Sequence, residues 1–433
     1  MEQQQARRLN RQDYKTLSLA ALGGALEFYD FIIFVFFAAV IGELFFPPDI
    51  PEWLRQLQTF GIFAAGYLAR PLGGIVMAHF GDSKGRKKMF SLSILLMALP
   101  TLAMGALPDY HAIGLAAPLL LLLLRILQGA AIGGEVPGAW VFVAEHVPEK
   151  RVGFACGTLT AGLTAGILLG SLVATAINSA LAPQTIAAGG WRIPFLLGGA
   201  FGLLAMYLRR WLHETPVFQQ MQARKTLSET LPLRSVLQHH KQAVAISMLL
   251  TWLLSACIVV VILMAPTLLQ KQHALPAALT LQANSLATVM LLAGCVIAGL
   301  AVDRLGAAKT LTGGCTLLAL CSWLFFTHAA DSETALFMTY ALAGLSVGVV
   351  GVVPFVMVRA FPAAIRFTGI SFSYNLAYAI FGGLTPVSVT LLMTLSPLAP
   401  AWYVLALALI GILTGLWLSR TARGGAMLQQ LKA

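Results

Sequence analysis

Four charged residues interrupt long apolar segments of this sequence and are its strongest candidates for chemistry. Glu27 and Asp30 stand three residues apart, so on a helix they share one face. Arg70 and Arg125 lie inside two other apolar segments. A charge inside a bilayer costs at least about 3 kcal/mol, so such residues are expected to serve a function or to be paired. A buried carboxylate can take up and release a proton as its neighbours change, whereas arginine stays charged and needs an anionic partner.

A fifth candidate, Glu135, follows Arg125 along the same apolar segment, at a distance of about 15 Å if the segment is helical. It fits either a relay that passes a proton toward one membrane surface or a partner for a basic residue there. Glu27 and Asp30 have the alternative role of joining helices through hydrogen bonds. Arg70 begins the string RPLGG, which is consistent with substrate contact and equally with a structural ion pair. We also expect that Arg125 exchanges Asp30 for a substrate carboxylate when Asp30 is protonated.

The composition indicates what surrounds these residues. Hydrophobic residues make up 58% of the 433 residues and charged residues only 10%, whereas soluble domains have about a quarter of their residues charged. A helix of roughly 20 apolar residues spans a bilayer, and about twelve such runs can be read from the sequence. We place them near 17–45, 57–80, 89–107, 115–142, 153–178, 193–212, 242–269, 280–302, 310–328, 334–358, 368–394 and 400–419. Because a β-barrel would show short alternating segments instead, the sequence predicts an all-α, polytopic membrane protein.

The basic residues, which give a net charge of +11, lie mainly on one side of these predicted helices. That side carries the N-terminus, 84–88, 150–151, 209–241, 304–309, 359–366 and the C-terminus. By the positive-inside rule, both termini are expected in the cytoplasm of a bacterial-type inner membrane. The charge therefore reflects topology, and we do not expect nucleic acid as a partner. The five cysteines lie in apolar runs without metal-ligand spacing and are expected to pack the core.

One long hydrophilic stretch divides the predicted helices into six and six. It predicts an N-terminal half at 1–212, a cytoplasmic linker at 213–241 and a C-terminal half at 242–433. The joint after predicted helix 2 reads GDSKGR at 81–86, and the joint after predicted helix 8 reads DRLG at 303–306. The second joint is a degraded copy of the first, which indicates an internal repeat.

The first joint, placed in a protein of six plus six helices, resembles the signature of the major facilitator superfamily. Further strings are similar to its metabolite:proton symporter family: GALEFYDF at 24–31, RPLGG at 70–74, RILQG at 125–129, WRIPF at 191–195, ETPVF at 214–218 and FGGLTP at 381–386. That family holds carriers for citrate, 2-oxoglutarate, shikimate and other carboxylates, and for the osmolytes proline and betaine. The resemblance implies alternating access to one central site, with a monomer as the expected state. The C-terminus carries no heptad repeat, which does not favour the osmosensing members of the family.

The resemblance also implies roles for residues at the joints. Asp82 and Arg86 are expected to form a latch between helices that stabilises the outward-facing state. Their alternative role is to fix topology, since charges cost little at the membrane edge. The second joint lacks the arginine pair, which does not favour a symmetric latch. Three glycines of predicted helix 5, at 162, 166 and 170, are expected at the interface between the halves. The gating candidates are Asp82, Arg86, Gly81, Gly85, Asp303 and Arg304.

Polar and aromatic residues complete the candidate site. Tyr374 and Tyr378 share one face of predicted helix 11, and packing between helices is an equally good explanation for either of them. The substrate-binding candidates are Arg70, Arg125, Tyr29, Gln128, Trp252, Tyr374, Asn375 and Tyr378. The proton-coupling candidates are Glu27, Asp30, Arg125 and Glu135.

Two central arginines and two central acids favour a proton-coupled symporter whose substrate is an organic anion such as a carboxylate. Uptake of a zwitterionic osmolyte is one alternative, which aromatic residues near the site would favour. Proton-driven efflux of a metabolite or metal chelator is another. The sequence contains no phosphate-binding loop, metal-ligand cluster or catalytic constellation, so we expect no enzyme, no ATP-driven pump, no metal and no cofactor. A sensor that transports nothing would have no use for five membrane-buried charges.

Overall fold

The computed structural model describes residues 9–84, 86–211, 217, 219 and 232–423. These residues form helices joined by short loops, and no strand occurs among them. We number the long helices α1 to α12 and refer to shorter ones by their residues. The long helices are α1 (Arg11–Phe36), α2 (Glu52–Lys84), α3 (Arg86–Ala106), α4 (Ala116–His146), α5 (Val152–Ala180), α6 (Arg192–Arg209), α7 (Lys241–Ile258, continued by Val259–Met264 and Ala265–His273), α8 (Ala277–Leu305), α9 (Ala307–His328), α10 (Glu333–Val347, continued by Gly348–Val352 and Val353–Ala360), α11 (Arg366–Ala377, continued by Tyr378–Gly382 and Gly383–Met393) and α12 (Ala399–Arg423).

The lengths of these helices match the thickness of a membrane. Among the described residues, ten helices are long and apolar enough to cross a bilayer, and a bent pair, Pro183–Gly190 with Arg192–Leu208, makes an eleventh. The remaining long helix, α2, has 33 residues, which is about 50 Å, whereas the bilayer core is about 30 Å thick. The predicted all-α, polytopic fold is confirmed.

Predicted and observed helices differ mainly at their ends. The first predicted helix, 17–45, is two helices, since the run breaks at Phe37 and a short helix follows at Ala38–Phe45. The joint predicted at 81–88 is almost entirely helical, because α2 reaches Lys84 and α3 begins at Arg86. Charged residues end a membrane-buried segment without ending a helix, so hydropathy alone placed the end of α2 too early and the start of α3 too late. Most of the predicted linker at 213–241 lies outside the described residues.

The first six long helices pack mainly on one another, as do the last six. In the first half α2 packs on α4 and α1 on α5, and in the second α8 packs on α10 and α9 on α12. The most extensive contacts between the halves join α5 to α8 and α2 to α11. Because α2 and α5 hold the same places in the first half as α8 and α11 hold in the second, this interface has approximate two-fold symmetry.

Glycines set the separation of α2 and α4. A Cβ atom on Gly73 would lie 2.1 Å from the backbone oxygen of Ala130, and one on Gly129 would lie 2.0 Å from that of Gly66. Both distances are far below van der Waals contact, so the two backbones touch directly. This contact fixes the position of α2 against α4, and with it the positions of Arg70 and Arg125.

The three α5 glycines expected between the halves lie elsewhere. Gly162, Gly166 and Gly170 pack against residues of α1, within the first half. The α5 glycines that meet α8 are Gly153 and Gly157, which lie beside Gly299. The expectation for the 162–170 ridge was therefore wrong. Four-residue spacing identifies a face for close packing, but it does not say which neighbouring helix occupies that face.

Candidate functional site

Arg70 is fully buried where α2 meets α11, and aromatic rings surround it. Its guanidinium carbon lies 4.2 Å from the ring centre of Tyr378, 5.4 Å from that of Tyr374 and 5.8 Å from that of Tyr67. We call these three residues the tyrosine cluster. Arg70 Nε donates a hydrogen bond of 3.4 Å to Asn375 Oδ1. The terminal nitrogens Nη1 and Nη2 are buried and make no hydrogen bond of normal geometry with a described residue. Rings and one amide, and not a carboxylate, are the partners of this cation.

The tyrosine cluster combines both halves of the protein. Tyr67 of α2 stacks on Tyr378 of α11 with ring centres 5.8 Å apart and planes inclined by 6°. Tyr374 lies 5.3 Å from Tyr378. Tyr378 also begins the π-helical turn Tyr378–Gly382, a local widening that is frequent at functional sites. Asn375 Nδ2 donates to the backbone oxygen of Gly133 in α4 at 2.7 Å, which ties the cluster to the first half.

Arg125 lies on α4 against the phenyl rings of α1. Its guanidinium carbon is 4.5 Å from the ring centres of both Phe31 and Phe34. Nη1 donates to Gln128 Oε1 at 2.5 Å, and Gln128 Nε2 donates to the backbone oxygen of Asp30 at 3.0 Å. Gln128 therefore connects Arg125 to α1 at the level of Asp30.

The carboxylate of Asp30 points elsewhere, toward α6. Asp30 is fully buried, and neither of its side-chain oxygens makes a hydrogen bond with a described residue. A Cβ on Gly198 would lie 2.6 Å from Asp30 Oδ1, and one on Gly202 would lie 3.4 Å from Oδ2. The two glycines thus form the wall against which the carboxylate rests. The direct Asp30–Arg125 pair expected from the sequence is absent in this conformation, since Gln128 stands between them.

The other central candidates lie nearby but face different neighbours. Glu135 is buried on α4 and accepts a hydrogen bond from Ser93 Oγ of α3. Tyr29 is fully buried and donates to the backbone oxygen of Pro194 at 2.9 Å, so its hydroxyl faces α6. Trp252 stacks on Phe381 and donates to Tyr403 Oη at 3.1 Å within the second half. The side chain of Glu27 lies outside the described residues.

Two carboxylates cap helices across the interface at one end of the molecule. The first four amides of a helix lack partners within the helix, and the residues preceding α11 and α5 provide no side-chain cap. Asp82 Oδ2, at the end of α2, accepts from both the amide and the hydroxyl of Thr368 in α11 at 2.9 Å. Asp303, at the end of α8, accepts from the amides of Gly153 at 2.8 Å and Phe154 at 2.9 Å in α5.

These caps make the interface symmetric, contrary to what the degraded second joint suggested. The hydrogen bonds of the cap are accepted by the aspartate, so the absence of basic residues directly after the glycine of the second joint does not remove the cap. Gly81 lies so close to α11 that a Cβ would be 2.4 Å from the ring of Phe367. Arg304 is exposed. The side chain of Arg86 and the whole of Gly85 lie outside the described residues.

Two ion pairs reinforce the same end. Arg366 Nη1 of α11 lies 2.9 Å from Glu145 Oε1 of α4, and Arg359 Nη1 of α10 lies 2.6 Å from Glu149 Oε1 just before α5. Because α4 and α10 hold equivalent places in the two halves, these pairs are also related by the approximate two-fold axis, with their charges reversed. The caps and ion pairs together close the halves against each other at this end, which we call the latched end.

At the opposite end the halves separate around a cavity of about 200 Å³. Its walls come from α1 and α5 in the first half and from α7 and α8 in the second. Apolar side chains and uncharged polar ones line it, and the polar ones include those of Ser171, Gln270, Asn284 and Thr288. The interface between the halves is thus joined by caps and ion pairs at one end and contains a cavity toward the other.

The sequence profile of the Major Facilitator Superfamily matches residues 20–386. The chain belongs to that superfamily. A glycine betaine/proline/ectoine/pipecolic acid transporter, OusA of Dickeya dadantii (strain 3937), is 31% identical over 424 residues, which cover 94% of this chain and 83% of that protein. The proline/betaine transporter of Salmonella typhimurium (strain LT2) is 30% identical over 423 residues, which cover 94% of this chain and 84% of that protein.

The solved proton:xylose symporter XylE from E. coli, bound to 6-bromo-6-deoxy-D-glucose, shares the fold with a TM-score of 0.77. The two sequences are 17% identical, and the match covers 94% of this chain and 95% of that one. The solved structure shows the fold alone. Membership of the superfamily and similarity to transporters along nearly the whole chain make this protein a membrane transporter and not an enzyme, as the sequence predicted.

The sequence missed three parts of the site. Tyr67 precedes Arg70 by one helical turn, and that spacing could have placed its ring beside the guanidinium. A symmetric role for Asp303 was disfavoured because the second joint lacks the arginine pair after its glycine. No sequence signal shows that the Asp30 carboxylate faces Gly198 and Gly202, since this depends on how α1 packs on α6.

The Asp303 cap leads to a prediction about access at the latched end. Removing the charge of a capping carboxylate costs about 1 kcal/mol, which shifts an equilibrium between closed and open states about 5-fold. Cys295 is a native reporter, since it is buried on α8 and its backbone meets Gly157 of α5. With the other four cysteines replaced by serine, we expect Asp303→Asn to increase the rate of maleimide labelling at Cys295 about 5-fold.

Asp331→Asn provides the matched control, because that aspartate is exposed in the loop between α9 and α10. It removes the same charge without touching the interface, and the labelling rate should stay at the wild-type value. Equal rates for Asp303→Asn and the control would show that the cap does not hold the latched end closed.

Proposed function

We propose that this superfamily member takes up a zwitterionic osmolyte of the proline and betaine type together with protons. Its similarity to OusA and to the Salmonella transporter, along nearly the whole chain, supports this substrate class. An organic anion, favoured from the sequence because of the central arginines, finds less support. Arg70 can take one carboxylate, but the ring faces around it attract a cationic group and repel a second carboxylate, so the osmolyte alternative fits better.

The arrangement around Asp30 is the observation that supports proton coupling. An ionised carboxylate is far more costly to bury without a partner than a neutral one, and Asp30 has no hydrogen-bond partner among the described residues. We propose that Asp30 holds a proton in this conformation. When the halves move, a turn of Asp30 toward Gln128 and Arg125 would favour the ionised form and release the proton.

The orientation follows from the charges. The latched end is the end at which α1 begins and at which the basic joints lie, so the positive-inside rule places it in the cytoplasm with both termini. The cavity between α1, α5, α7 and α8 would then open to the outside. We propose that this conformation is the outward-facing state of a monomeric carrier that is ready to receive substrate.

Uptake by proteoliposomes tests the proposal. Labelled proline, glycine betaine and citrate are offered with and without an inward proton gradient of about two pH units. Because one pH unit corresponds to about 1.4 kcal/mol for each proton, coupling to one proton allows the zwitterions to accumulate up to about 100-fold. Citrate should not accumulate, and a protonophore should abolish the effect. Accumulation of citrate alone would favour an organic anion as the substrate. Uptake at the same level with and without the gradient would rule out coupling to protons.

A further inference from the structure

The two terminal nitrogens of Arg70 leave the site chemically incomplete. A buried guanidinium normally forms hydrogen bonds through its fork of donors, often to a carboxylate that accepts two of them. Here Nη1 and Nη2 are buried with no carboxylate partner among the described residues. Nε donates to Asn375, and the hydroxyls of Tyr374 and Tyr378 interact with the guanidinium but bring no negative charge. The group that fits these donors is a carboxylate brought by the ligand.

The rings around Arg70 restrict what else that ligand can carry. The faces of aromatic rings are negative, so they attract cations and repel anions. A second carboxylate on the ligand would approach the faces of Tyr67, Tyr374 or Tyr378 and be repelled. A cationic group next to the first carboxylate would be attracted. A quaternary ammonium group, which has no N–H to donate, is recognised chiefly through such faces.

The position of the cluster suits a transport site. Arg70 and Tyr67 come from the first half, and Tyr374, Tyr378 and Asn375 come from the second, so a ligand here would contact both halves at once. Tyr67 is partly exposed, which leaves one edge of the cluster accessible. The Tyr67 hydroxyl also interacts electrostatically with both Arg70 and Arg125, which connects this site to the residues around Asp30.

We propose that Arg70 and the tyrosine cluster form the recognition site for a zwitterion, with the carboxylate on Nη1 and Nη2 and the ammonium end against the tyrosine rings. Arg70 also acts as a fixed cation that excludes ligands lacking a carboxylate, because a bare cation would meet its charge without compensation. This inference rests on the proposed uptake of osmolytes and names the residues that select them.

Binding to the purified, detergent-solubilised protein tests the two proposed roles of Arg70 separately, namely binding of the ligand carboxylate and exclusion of cations that lack one. Labelled glycine betaine and proline are the ligands, and choline, a quaternary ammonium ion without a carboxylate, is the competitor. We expect Arg70→Gln to weaken binding of both zwitterions about 100-fold, since it removes a buried charge partner. In the same variant choline should compete several-fold better than in the wild type, because the repelling charge is gone.

The ring faces are tested at Tyr378. Tyr378→Leu should weaken binding of glycine betaine about 10-fold, whereas Tyr378→Phe keeps the face and should stay within about 2-fold of the wild type. Tyr207→Leu is the matched control, since that ring contacts Arg210 at 3.6 Å but lies exposed at the end of α6. It should leave binding unchanged. Size-exclusion profiles show which variants are folded. If Arg70→Gln does not fold, the comparison of Tyr378→Leu with Tyr378→Phe still tests whether the tyrosine cluster binds the zwitterion.

Failure of this inference and failure of the proposed function look different. If the wild type binds neither zwitterion, the proposed substrate class is wrong, and so is the proposed recognition site. If the wild type binds them but folded Arg70→Gln and Tyr378→Leu bind equally well, the substrate class stands and the site lies elsewhere. Equal losses in Tyr378→Leu and Tyr378→Phe would assign recognition to the hydroxyl and overturn the role of the ring face.

Discussion

Replacing Asp30 by asparagine is expected to abolish gradient-driven accumulation while leaving exchange of substrate across the membrane. Asparagine has the shape of a protonated aspartate and fits the same space beside Gly198 and Gly202. It has no proton to release, so the carrier can cycle only with substrate bound. Under a gradient of about two pH units, the accumulation ratio should fall from about 100 to about 1.

Proteoliposomes report both activities for each variant. Accumulation is measured under the imposed gradient, and exchange is measured by loading the vesicles with unlabelled substrate at equal pH on both sides. Asp49→Asn, an exposed site in the segment between α1 and α2, serves as the control and should accumulate substrate like the wild type. Full accumulation by Asp30→Asn would show that another acid carries the coupled proton. Loss of exchange in a folded variant would make Asp30 a substrate ligand instead.

Depth in the membrane could be read from the sequence, but contacts could not. The apolar runs indicated the number of helices, and the cost of buried charge alone singled out Asp30, Arg70 and Arg125. Which of them pair is decided by side-chain direction. Asp30 and Arg125 match in depth and charge, yet the acid turns toward α6 and only its backbone oxygen reaches Gln128. Opposite charge therefore predicted the shared region of Asp30 and Arg125, and the exchange of partners at Arg125 stays a prediction.

The two aspartate caps between the halves also show what sequence patterns could not predict. Pattern comparison favoured Asp82 because its joint is complete, and disfavoured Asp303 because its joint is not. A cap does not need the whole sequence pattern of the joint, since one carboxylate suffices to cap the uncapped amides of a helix. Asp303 meets that requirement with two hydrogen bonds to α5. A search for acids at the ends of α2 and α8 opposite uncapped helices would have found both.

The close contact of α2 with α4 leads to the largest expected effect on stability. A methyl group added at Gly73 would lie 2.1 Å from the backbone oxygen of Ala130 and 2.5 Å from its Cα. Backbone atoms cannot move aside as a flexible side chain can, so the two helices must separate. Overpacking typically costs about 1–3 kcal/mol, and we expect Gly73→Ala to lie at the upper end, about 3 kcal/mol.

Gly61 offers a control on the same helix. It is exposed on α2, with no atom within 4 Å of the position that a Cβ would take. Gly61→Ala should therefore keep or slightly raise the Tm, since alanine favours a helix by about 1 kcal/mol over glycine. Thermal unfolding of the two purified variants in detergent measures the difference. Equal Tm values would mean that α2 and α4 can separate without loss, in which case their contact could not be what holds Arg70 against the tyrosine cluster. A large loss confined to Gly73→Ala would establish that the close contact between the backbones of α2 and α4 stabilises the fold.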